Sequence, residues 1–490
     1  MDQKSVYDLA IIGAGIIGST LARLLSRYEL SICLIEKEND VSCGTSKANS
    51  GIIHAGYDAW PGTKMAEYNV RGNALYEGLS KELGFGFQRL GSYVVAQNDE
   101  ELKSIEALFE RGKKNGVPGI EIISGFEFLK KEPHANPDIL AALWAPTAAI
   151  ISPYEATWAF AENAAENGVD FFFEREVQGL EKVADIFHIK TGKGNIQARF
   201  VVNAAGLFSD RINAMVGARA FSIRPRRGEY VLLDTNVKGL AKSILFQPPT
   251  SAGKGVLVTP TVDGNILIGP TAEPVQEKTA TETTEKGQRN ILEVAKRTIP
   301  ELTKRFAINS FSGLRATPFI DEKQYADFII EEDGEVEKFF TLGGIASPGL
   351  AAAPSIAEAV RDLLDTAGLV LKEKKDFKAH RKPFVYFARA SEEEKQKLVR
   401  ENPLYARIIC RCEMVTEAEI IKAIHSPIGA MDLDGVKRRT RAQMGRCQGG
   451  FCLPRIAEII SRERAISMTE VSKSGRSSFV LQGKTREGIE

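Results

Sequence analysis

The sequence predicts an α/β protein in several parts, and three patterns indicate this fold class. The first 36 residues alternate as strand, helix and strand, with a glycine-rich turn after the first strand. From about residue 91 to residue 270 short strand-like segments dominate, and four of the six cysteines lie between residues 410 and 452. Because 490 residues exceed what one hydrophobic core usually serves, we expect more than one domain.

The N-terminal segment predicts a domain of Rossmann type. Asp8–Ile12 has the composition of a short buried strand, Ile16–Arg27 that of a helix, and Ser31–Glu36 that of a second strand. Phe200–Gly206 predicts another buried strand that ends in small residues. Glu36 closes the second strand, where a carboxylate can accept hydrogen bonds from both hydroxyls of a ribose.

Three glycines between the first strand and the helix fit the pattern G-x-G-x-x-G. Gly13 permits the tight turn, Gly15 lets the backbone approach a pyrophosphate, and Gly18 lets the helix pack against the strand. The N-terminus of the helix then directs free N–H groups at the phosphates. The sequence therefore predicts a dinucleotide site, and a purely structural glycine turn is the alternative.

Further glycine-rich segments favour FAD over a dissociable nicotinamide. At each of them the backbone can approach a ligand closely, and several such surfaces are typical of one long, embedded ligand. We find no second glycine fingerprint after a clear strand that would hold NAD. The predicted FAD contacts in these segments are Thr45, Ser46, Asn49, Ser50, Gly51, Ala205, Gly206, Gly344, Pro348, Gly349 and Leu350.

The β-rich region predicts a substrate domain that covers the first domain. Two Asp-Gly pairs, at residues 263–264 and 333–334, each lie between two strand-like segments, which is a strong hairpin signal. These segments are Val256–Thr259 and Ile266–Gly269 for the first turn, and Phe328–Glu331 and Phe339–Leu342 for the second.

The cysteines of the C-terminal module have the spacing of an iron–sulfur site. Cys410 and Cys412 are one residue apart, and after 34 further residues Cys447 and Cys452 follow as C-x₄-C. Four thiolates in two close pairs are what a [2Fe–2S] cluster needs. Zinc is the competing metal, although its cysteine pairs usually read C-x₂₋₄-C. Disulfides are a third interpretation.

Two other features of this module have local explanations. The sequence T-x-x-E at Thr416–Glu419 is a capping box and predicts a short helix after the first cysteine pair. The basic run Lys437–Arg441 could suggest nucleic acid, but we interpret its cations as offsetting the negative charge of the cluster.

These motifs together resemble a known superfamily. The N-terminal fingerprint, the stretch Asn49–Gly56, residues 201–210 and Ser312–Arg315 resemble the D-amino-acid-oxidase-like FAD oxidoreductases, over roughly residues 5–365. Within this superfamily the sequence is similar to two branches, the glycerol-3-phosphate dehydrogenases and the L-2-hydroxyglutarate dehydrogenases. The cysteine module resembles the bacterioferritin-associated-ferredoxin type of [2Fe–2S] domain. The resemblance implies a Rossmann-type FAD-binding domain with a β-sheet substrate domain over the flavin.

The domain organisation follows from these patterns and the resemblance. Residues 1–90, 145–220 and 310–366 are predicted to form the FAD-binding domain, and residues 91–144 with 221–309 the substrate domain. Residues 367–404 are a linker, residues 405–466 the [2Fe–2S] domain, and residues 467–490 a polar C-terminal tail.

Three side chains are candidates for the chemistry on the substrate. His54 is the one histidine of five inside a flavin-facing motif, and it could act as a base, a flavin contact or a covalent attachment point. By resemblance, Arg315 pairs with the anionic group of the substrate, and Arg227 could add a second contact. We expect a small anionic secondary alcohol, preferably sn-glycerol 3-phosphate. L-2-hydroxyglutarate, or an amine or imino acid, is the alternative.

Composition and chemistry together predict the partners. The formal net charge of +0 gives no general attraction to nucleic acid, and no apolar stretch is long enough to span a bilayer. The N-terminal apolar segment runs into the glycine turn and is not a signal peptide, so we expect a cytoplasmic protein. A fused cluster implies electron transfer to a partner subunit or a quinone-linked acceptor, with a possible indirect association with a membrane.

Overall fold

The structure is a computed structural model, and it describes residues 6–249, 255–325, 327–475, 477–483 and 485. The strands are β1 (Tyr7–Ile12), β2 (Ile32–Ile35), β3 (Ile52–Ile53), β4 (Phe87–Arg89), β5 (Ser92–Ala96), β6 (Glu121–Ser124), β7 (Ala141–Ala145), β8 (Ala149–Ile151), β9 (Asp170–Phe172), β10 (Val177–Val183), β11 (Ile186–Thr191), β12 (Gly194–Asn203), β13 (Ser222–Leu233), β14 (Ile244–Phe246), β15 (Leu257–Pro260), β16 (Ile266–Gly269), β17 (Glu273–Pro274), β18 (Ala307–Ile320), β19 (Lys323–Gln324), β20 (Ile329–Glu332), β21 (Phe339–Gly343), β22 (Ile408–Cys410) and β23 (Val415–Thr416). The α-helices are α1 (Ile16–Leu25), α2 (Lys64–Leu83), α3 (Asp99–Lys114), α4 (Gly125–Lys131), α5 (Pro153–Glu166), α6 (Ser209–Val216), α7 (Glu285–Lys296), α8 (Gly349–Thr366), α9 (Glu392–Glu401), α10 (Glu417–Ile424), α11 (Leu433–Thr440) and α12 (Leu453–Arg464).

An eight-stranded mixed sheet forms the first domain and confirms the predicted α/β fold class. β1 lies between β2 and β12 and is parallel to both, while β9 and β21 extend the parallel pairing on either side. β1 and β2 are almost continuously apolar because helices cover this part of the sheet. The core under them includes Leu21 of α1, Trp158 of α5 and Val360 of α8.

A ten-stranded sheet forms the second domain. Its longest pairing is antiparallel, between β13 and β18. The predicted hairpin at residues 263–264 is confirmed, since it joins β15 to β16. The predicted hairpin at residues 333–334 is also confirmed, and it joins β20 to β21 in the first sheet. The predicted domain boundary at residue 310 falls inside β18, which pairs with β13 from Ala307 to Phe319 and so belongs to the second sheet.

Helix α2 was not predicted, because its buried face is not apolar. That face includes Asn69, Gly72, Asn73 and Tyr76, so the hydrophobic stripe that normally indicates an amphipathic helix is missing. The helix is instead fixed locally, by the side chain of Thr63 at its N-cap and a left-handed glycine at its C-cap.

The C-terminal module has a small core of its own. β22, β23 and helices α10 to α12 surround Ile420, Val436 and Ile456, and Cys410 and Cys452 are part of the same core. α10 begins at the predicted capping box of Thr416 and Glu419. In the tail, the carbonyl oxygens of residues 472 and 473 accept hydrogen bonds from the backbone at the start of α11. Within the described residues, no helix is both long and apolar enough to cross a bilayer.

Candidate active site and cluster module

A cavity of about 910 Å³ lies where the two sheets and the C-terminal module meet. Small-ligand sites have volumes of roughly 300–1,000 Å³, and this cavity is near the upper end of that range. A long dinucleotide needs a site of this size. The residues predicted from the sequence that line it are Gly13, Gly15, Glu36, Thr45, Ser46, Asn49, Ser50, Gly51, His54, Ala205, Gly206, Arg315, Pro348, Gly349 and Leu350. Gly18 lies behind the turn, and Gly344 immediately precedes the lining residue Ile345.

The glycine turn has no room for side chains. A Cβ at Gly13, whose φ is +111°, would lie 2.5 Å from the carbonyl oxygen of Ala204. A Cβ at Gly18 would lie 2.0 Å from the carbonyl oxygen of Gly13, so this glycine lets α1 pack on the turn. Ser46 accepts a hydrogen bond of 2.8 Å from the N–H of Ile16 at the start of α1. The first turn of the helix is therefore connected to the loop at residues 44–51.

Glu36 is fixed by the backbone around it. Its carboxylate accepts hydrogen bonds from the N–H of Ala14, at 2.8 Å, and from the N–H of Glu38, at 3.0 Å. Burial raises the pKa of Glu36, and these hydrogen bonds act in the opposite direction. A glycine turn, a helix N-terminus and an acid at the end of β2 fit the binding of a dinucleotide.

The loop at residues 44–51 joins the glycine turn to the second sheet. Thr45 donates a hydrogen bond of 2.8 Å to the carbonyl oxygen of Leu314 in β18. Asn49 closes the loop by accepting from the N–H of Gly51 at 2.9 Å. A Cβ at Gly313 would lie 1.9 Å from the carbonyl oxygen of Ala48, so only glycine permits this approach. The cavity wall is thus continuous across the two domains.

His54 is held through its backbone. Its carbonyl oxygen accepts hydrogen bonds from Asn69 at 2.8 Å and Asn73 at 3.0 Å, both on α2. Its ring stacks on Phe246, with 5.8 Å between the ring centroids. The buried polar face of α2 therefore places this imidazole in the cavity wall.

Two arginines lie opposite each other on β13 and β18. Arg226 is paired in register with Arg315, so two like charges lie opposite each other on neighbouring strands. Burial and then Arg315 lower the pKa of Arg226. The hydroxyl of Tyr230 contacts Arg315 and Ser50, and burial raises its pKa. Arg315 lines the cavity, and Arg226 adds a second positive charge beside it.

Arg227 is placed away from the cavity, in an ion cluster. Its guanidinium group pairs with Glu282, lies 2.7 Å from Glu273 and approaches Glu229 to 4.0 Å. Residues 228, 230 and 232 of β13 line the cavity, so Arg227 belongs to the other face of the strand. The two-residue period of the strand is the signal that separates Arg226 from Arg227.

Sequence reasoning missed several lining residues. Lys278 forms an ion pair with Asp210, with both oxygens at 2.6 Å, and Tyr154 lies at the start of α5, where burial raises its pKa to about 12. The C-terminal module contributes Met444 and Gln448. Lys278 and Tyr154 belong to no motif, and the module reaches the cavity only through the tertiary fold.

The four cysteines of the module form two pairs across the chain. The thiol of Cys410 is hydrogen-bonded to that of Cys452, and the thiol of Cys412 to that of Cys447. The first pair is buried and the second is exposed. The hydrogen bond from Cys452 lowers the pKa of Cys410 to about 6.

This arrangement fits two irons better than one. In the described part of the chain, no three His, Cys, Asp or Glu side chains converge as a single-ion site would require. A [2Fe–2S] cluster takes two thiolates at each iron, and the chain offers two thiol pairs.

Comparison with known families identifies both parts of the chain. Residues 8–363 match the family described as FAD dependent oxidoreductase, and residues 408–462 match the BFD-like [2Fe-2S] binding domain. The cofactors of the two parts are accordingly FAD and a [2Fe–2S] cluster.

Individual relatives agree with this division. A glycerol 3-phosphate dehydrogenase of Caloramator mitchellensis is 47% identical over 485 residues, which cover 99% of this chain and 100% of the relative. Human mitochondrial L-2-hydroxyglutarate dehydrogenase is 34% identical over 285 residues, or 55% of this chain and 61% of the relative. The FAD-bound L-α-glycerophosphate oxidase of Mycoplasma pneumoniae has a TM-score of 0.74 and 33% identity, and the match covers 78% of this chain and all of that one.

Proposed function

The chain belongs to the FAD-dependent oxidoreductase family and carries a BFD-like [2Fe–2S] binding domain, and from this premise we propose that it oxidises sn-glycerol 3-phosphate to dihydroxyacetone phosphate. The observation that carries the proposal is the similarity to a glycerol 3-phosphate dehydrogenase, which extends over both domains and the module. The weaker similarity to L-2-hydroxyglutarate dehydrogenase covers only about half of the chain, 55%.

The cavity supplies the binding site for the flavin. Gly13, Gly15 and the N-terminus of α1 would hold the pyrophosphate, Glu36 the ribose, and the loop at residues 44–51 the remainder. When bound, FAD supplies a two-electron acceptor, and the cluster at Cys410, Cys412, Cys447 and Cys452 supplies a one-electron carrier.

The anion of the substrate is assigned to the part of the cavity beside Arg315. Arg315 lines the cavity and contacts Tyr230, which fixes its direction. A phosphate beside Arg315 would offset the repulsion from Arg226 and would accept paired N–H donors from a planar guanidinium group. Arg227 is not part of this proposal, because Glu273 and Glu282 already neutralise it.

The proton of the alcohol is assigned to His54. A neutral imidazole has a pKa close to working pH and can take the hydroxyl proton as the alcohol is oxidised. Asn69 and Asn73 hold the backbone carbonyl of His54, and Phe246 stacks on its ring. The site therefore combines a base, an anion-binding arginine and a flavin cavity.

We further propose that the electrons leave through the module to an external one-electron acceptor, such as a partner subunit or a quinone-linked protein. A fused cluster makes direct reaction with oxygen an inefficient alternative. Aerobic formation of hydrogen peroxide at the rate of substrate oxidation would contradict this part of the proposal.

Anaerobic titration tests the substrate. Purified holoenzyme is mixed separately with glycerol 3-phosphate, L-2-hydroxyglutarate and proline, and the flavin and cluster absorption bands are followed together. We expect bleaching of both bands with glycerol 3-phosphate at the lowest concentration. Bleaching by L-2-hydroxyglutarate or proline alone would replace the proposed substrate with that compound.

A further inference from the structure

The C-terminal module forms one wall of the flavin cavity. Arg441, Met444 and Gln448 of the module line the cavity together with Tyr154 of α5. The hydroxyl of Tyr154 donates to the sulfur of Met444 at 3.5 Å, which connects residues 290 positions apart in the chain. The module therefore occupies a defined position against the flavin domain.

A buried carboxylate holds the module on the first domain. Asp40 follows β2, and both of its oxygens accept hydrogen bonds from Arg439, at 2.7 and 2.8 Å. Arg438 donates to the same carboxylate at 2.8 Å. Asp40 is 2% exposed and Arg439 is 1% exposed, so this ion pair is completely removed from water. Arg439 also lies over the ring of Trp158, at 5.7 Å from its centroid.

A second carboxylate holds the module on the substrate domain. Asp263, in the turn between β15 and β16, pairs with Arg441 of the module and lies 2.5 Å from Arg389 of the linker. Arg441 also donates to Glu413 at 2.8 Å, and Glu413 directly follows Cys412. The basic run at residues 437–441 is thus engaged by Asp40, Asp263 and Glu413, which is a more specific arrangement than a diffuse offset of cluster charge.

The segment Met444–Gln448 lies between the cavity and the thiols. Its side chains at 444 and 448 line the cavity, while Cys447 belongs to the exposed thiol pair. A Cβ at Gly445 would lie 2.2 Å from the Cβ of Cys412, so the segment packs directly on the other member of that pair. This short segment therefore connects the wall of the flavin cavity to Cys412 and Cys447, two of the four predicted cluster ligands.

We propose that Asp40 and Asp263 are positioning residues for electron transfer, because they clamp the module so that Met444–Gln448 stays between the flavin cavity and the cluster. This inference rests on the proposed flavin-to-cluster route. In one transfer the bound cluster would gain one electron, the reduced flavin would lose that electron, and a proton would be released to solvent. The second electron would follow only after an external one-electron oxidant had reoxidised the cluster. The anaerobic test contains no such oxidant, so the cluster would take up one electron.

The test compares how fast the two cofactors are reduced in the holoenzyme. Wild type, Asp40→Asn and Arg439→Lys are mixed anaerobically with glycerol 3-phosphate, and the flavin and cluster bands are followed separately. We expect flavin bleaching to stay within about twofold of wild type, since neither Asp40 nor Arg439 lines the cavity. We expect cluster bleaching to slow by about tenfold in Asp40→Asn, because two arginines lose their buried partner, and by less in Arg439→Lys.

Hydrogen exchange provides a readout that does not depend on turnover. Amides of α11 should exchange faster in Asp40→Asn than in wild type. The matched control is Arg407→Gln, which removes a module arginine that is 63% exposed and whose partner, Glu417, keeps a second ion pair with Arg462. This control should leave both the cluster bleaching and the exchange of α11 unchanged.

Two outcomes would overturn the proposal. One is faster exchange of α11 in Asp40→Asn with an unchanged rate of cluster bleaching, since the clamp would then be irrelevant to transfer. The other is unchanged exchange of α11, since Asp40 would not be a clamp. If Asp40→Asn does not fold, Arg439→Lys decides by the same two readouts. Failure of the flavin to bleach at all would contradict the proposed substrate, and hydrogen exchange would still test the clamp.

Discussion

Two arginine pairs in this molecule have opposite surroundings. Arg226 and Arg315 lie opposite each other beside the flavin cavity, and burial and Arg315 lower the pKa of Arg226. Arg438 and Arg439 share the buried carboxylate of Asp40, and although burial acts to lower the pKa of Arg438, Asp40 raises it. The same residue type therefore lies beside a like charge in one place, and in the other holds two domains together through a shared carboxylate.

Replacement of Arg315 should have the largest effect. In Arg315→Gln we expect kcat/KM for glycerol 3-phosphate to fall by roughly 100-fold to 1,000-fold, because a buried charge contact with the substrate is lost. Arg226→Gln is the matched control at the opposite register position, and a smaller loss is expected there. Steady-state kinetics with ferricyanide as acceptor measures both. Equal losses in the two variants would remove the distinction between the arginine that binds and the one that repels.

Replacement of Asp40 should have the next largest effect, on stability. In Asp40→Asn we expect the free energy of unfolding to fall by about 3 kcal/mol, since two buried guanidinium groups lose their charge partner. Urea unfolding followed by flavin fluorescence measures the change, with Arg407→Gln as the surface control. A loss below about 1 kcal/mol, the size seen for surface pairs, would mean that the pair is not a structural clamp.

The stability of the protein should depend on pH through the titration of Asp40. Burial alone would raise the pKa of Asp40, but Arg439 and Arg438 lower it from 3.8 to about 2. An acid whose pKa is depressed by folding stabilises the protein above its unfolded pKa, and this contribution is lost as the pH falls through the folded pKa. Wild type should therefore lose about 2 kcal/mol between roughly pH 4 and pH 2 that Asp40→Asn does not lose. Parallel urea titrations over this range measure the difference in stability between wild type and Asp40→Asn. A difference that does not shrink as the pH falls would contradict the prediction.

Replacement of Arg227 should have the smallest effect on catalysis. Arg227→Gln leaves the cavity unchanged, so we expect the KM for glycerol 3-phosphate to stay within about twofold of wild type. Stability should fall by about 1 kcal/mol, because the partners Glu273 and Glu282 are more than half exposed, at 56% and 61%, and stay hydrated. A tenfold rise in KM would contradict this prediction and would indicate that Arg227 binds the substrate.

Local rules explain why parts of the molecule could be predicted from the sequence. The turn from Gly13 to Gly18, the hairpin at Asp263 and the capping box at Thr416 each depend on residues a few positions apart. The spacing of the four cysteines is likewise a local pattern, and it was enough to predict the C-terminal module. These elements appear in the structure where they were predicted.

Contacts over long separations in sequence could not be predicted. Asp40 and Arg439 are 399 positions apart, and neither belongs to a motif that announces the other. Helix α2 was missed because it buries asparagines, which serve to hold the backbone of His54. Arg227 was assigned to the substrate because the direction of a side chain on β13 depends on its register with β18, which composition does not reveal.

The unequal burial of the two thiol pairs distinguishes an inner side of the module from an outer side. Cys410 and Cys452 face the interior of the module, whereas Cys412 and Cys447 face solvent. Nearby in the sequence, Met414 and Phe451 expose 46% and 49% of their surfaces, which is unusual for large apolar side chains. With a [2Fe–2S] cluster bound at these cysteines, an oxidant too large to enter the protein would meet the side of Cys412 and Cys447 first. On the proposed route, we therefore expect an acceptor protein to dock on the surface that Cys412 and Cys447 mark, and the buried pair of Cys410 and Cys452 to stay out of its reach.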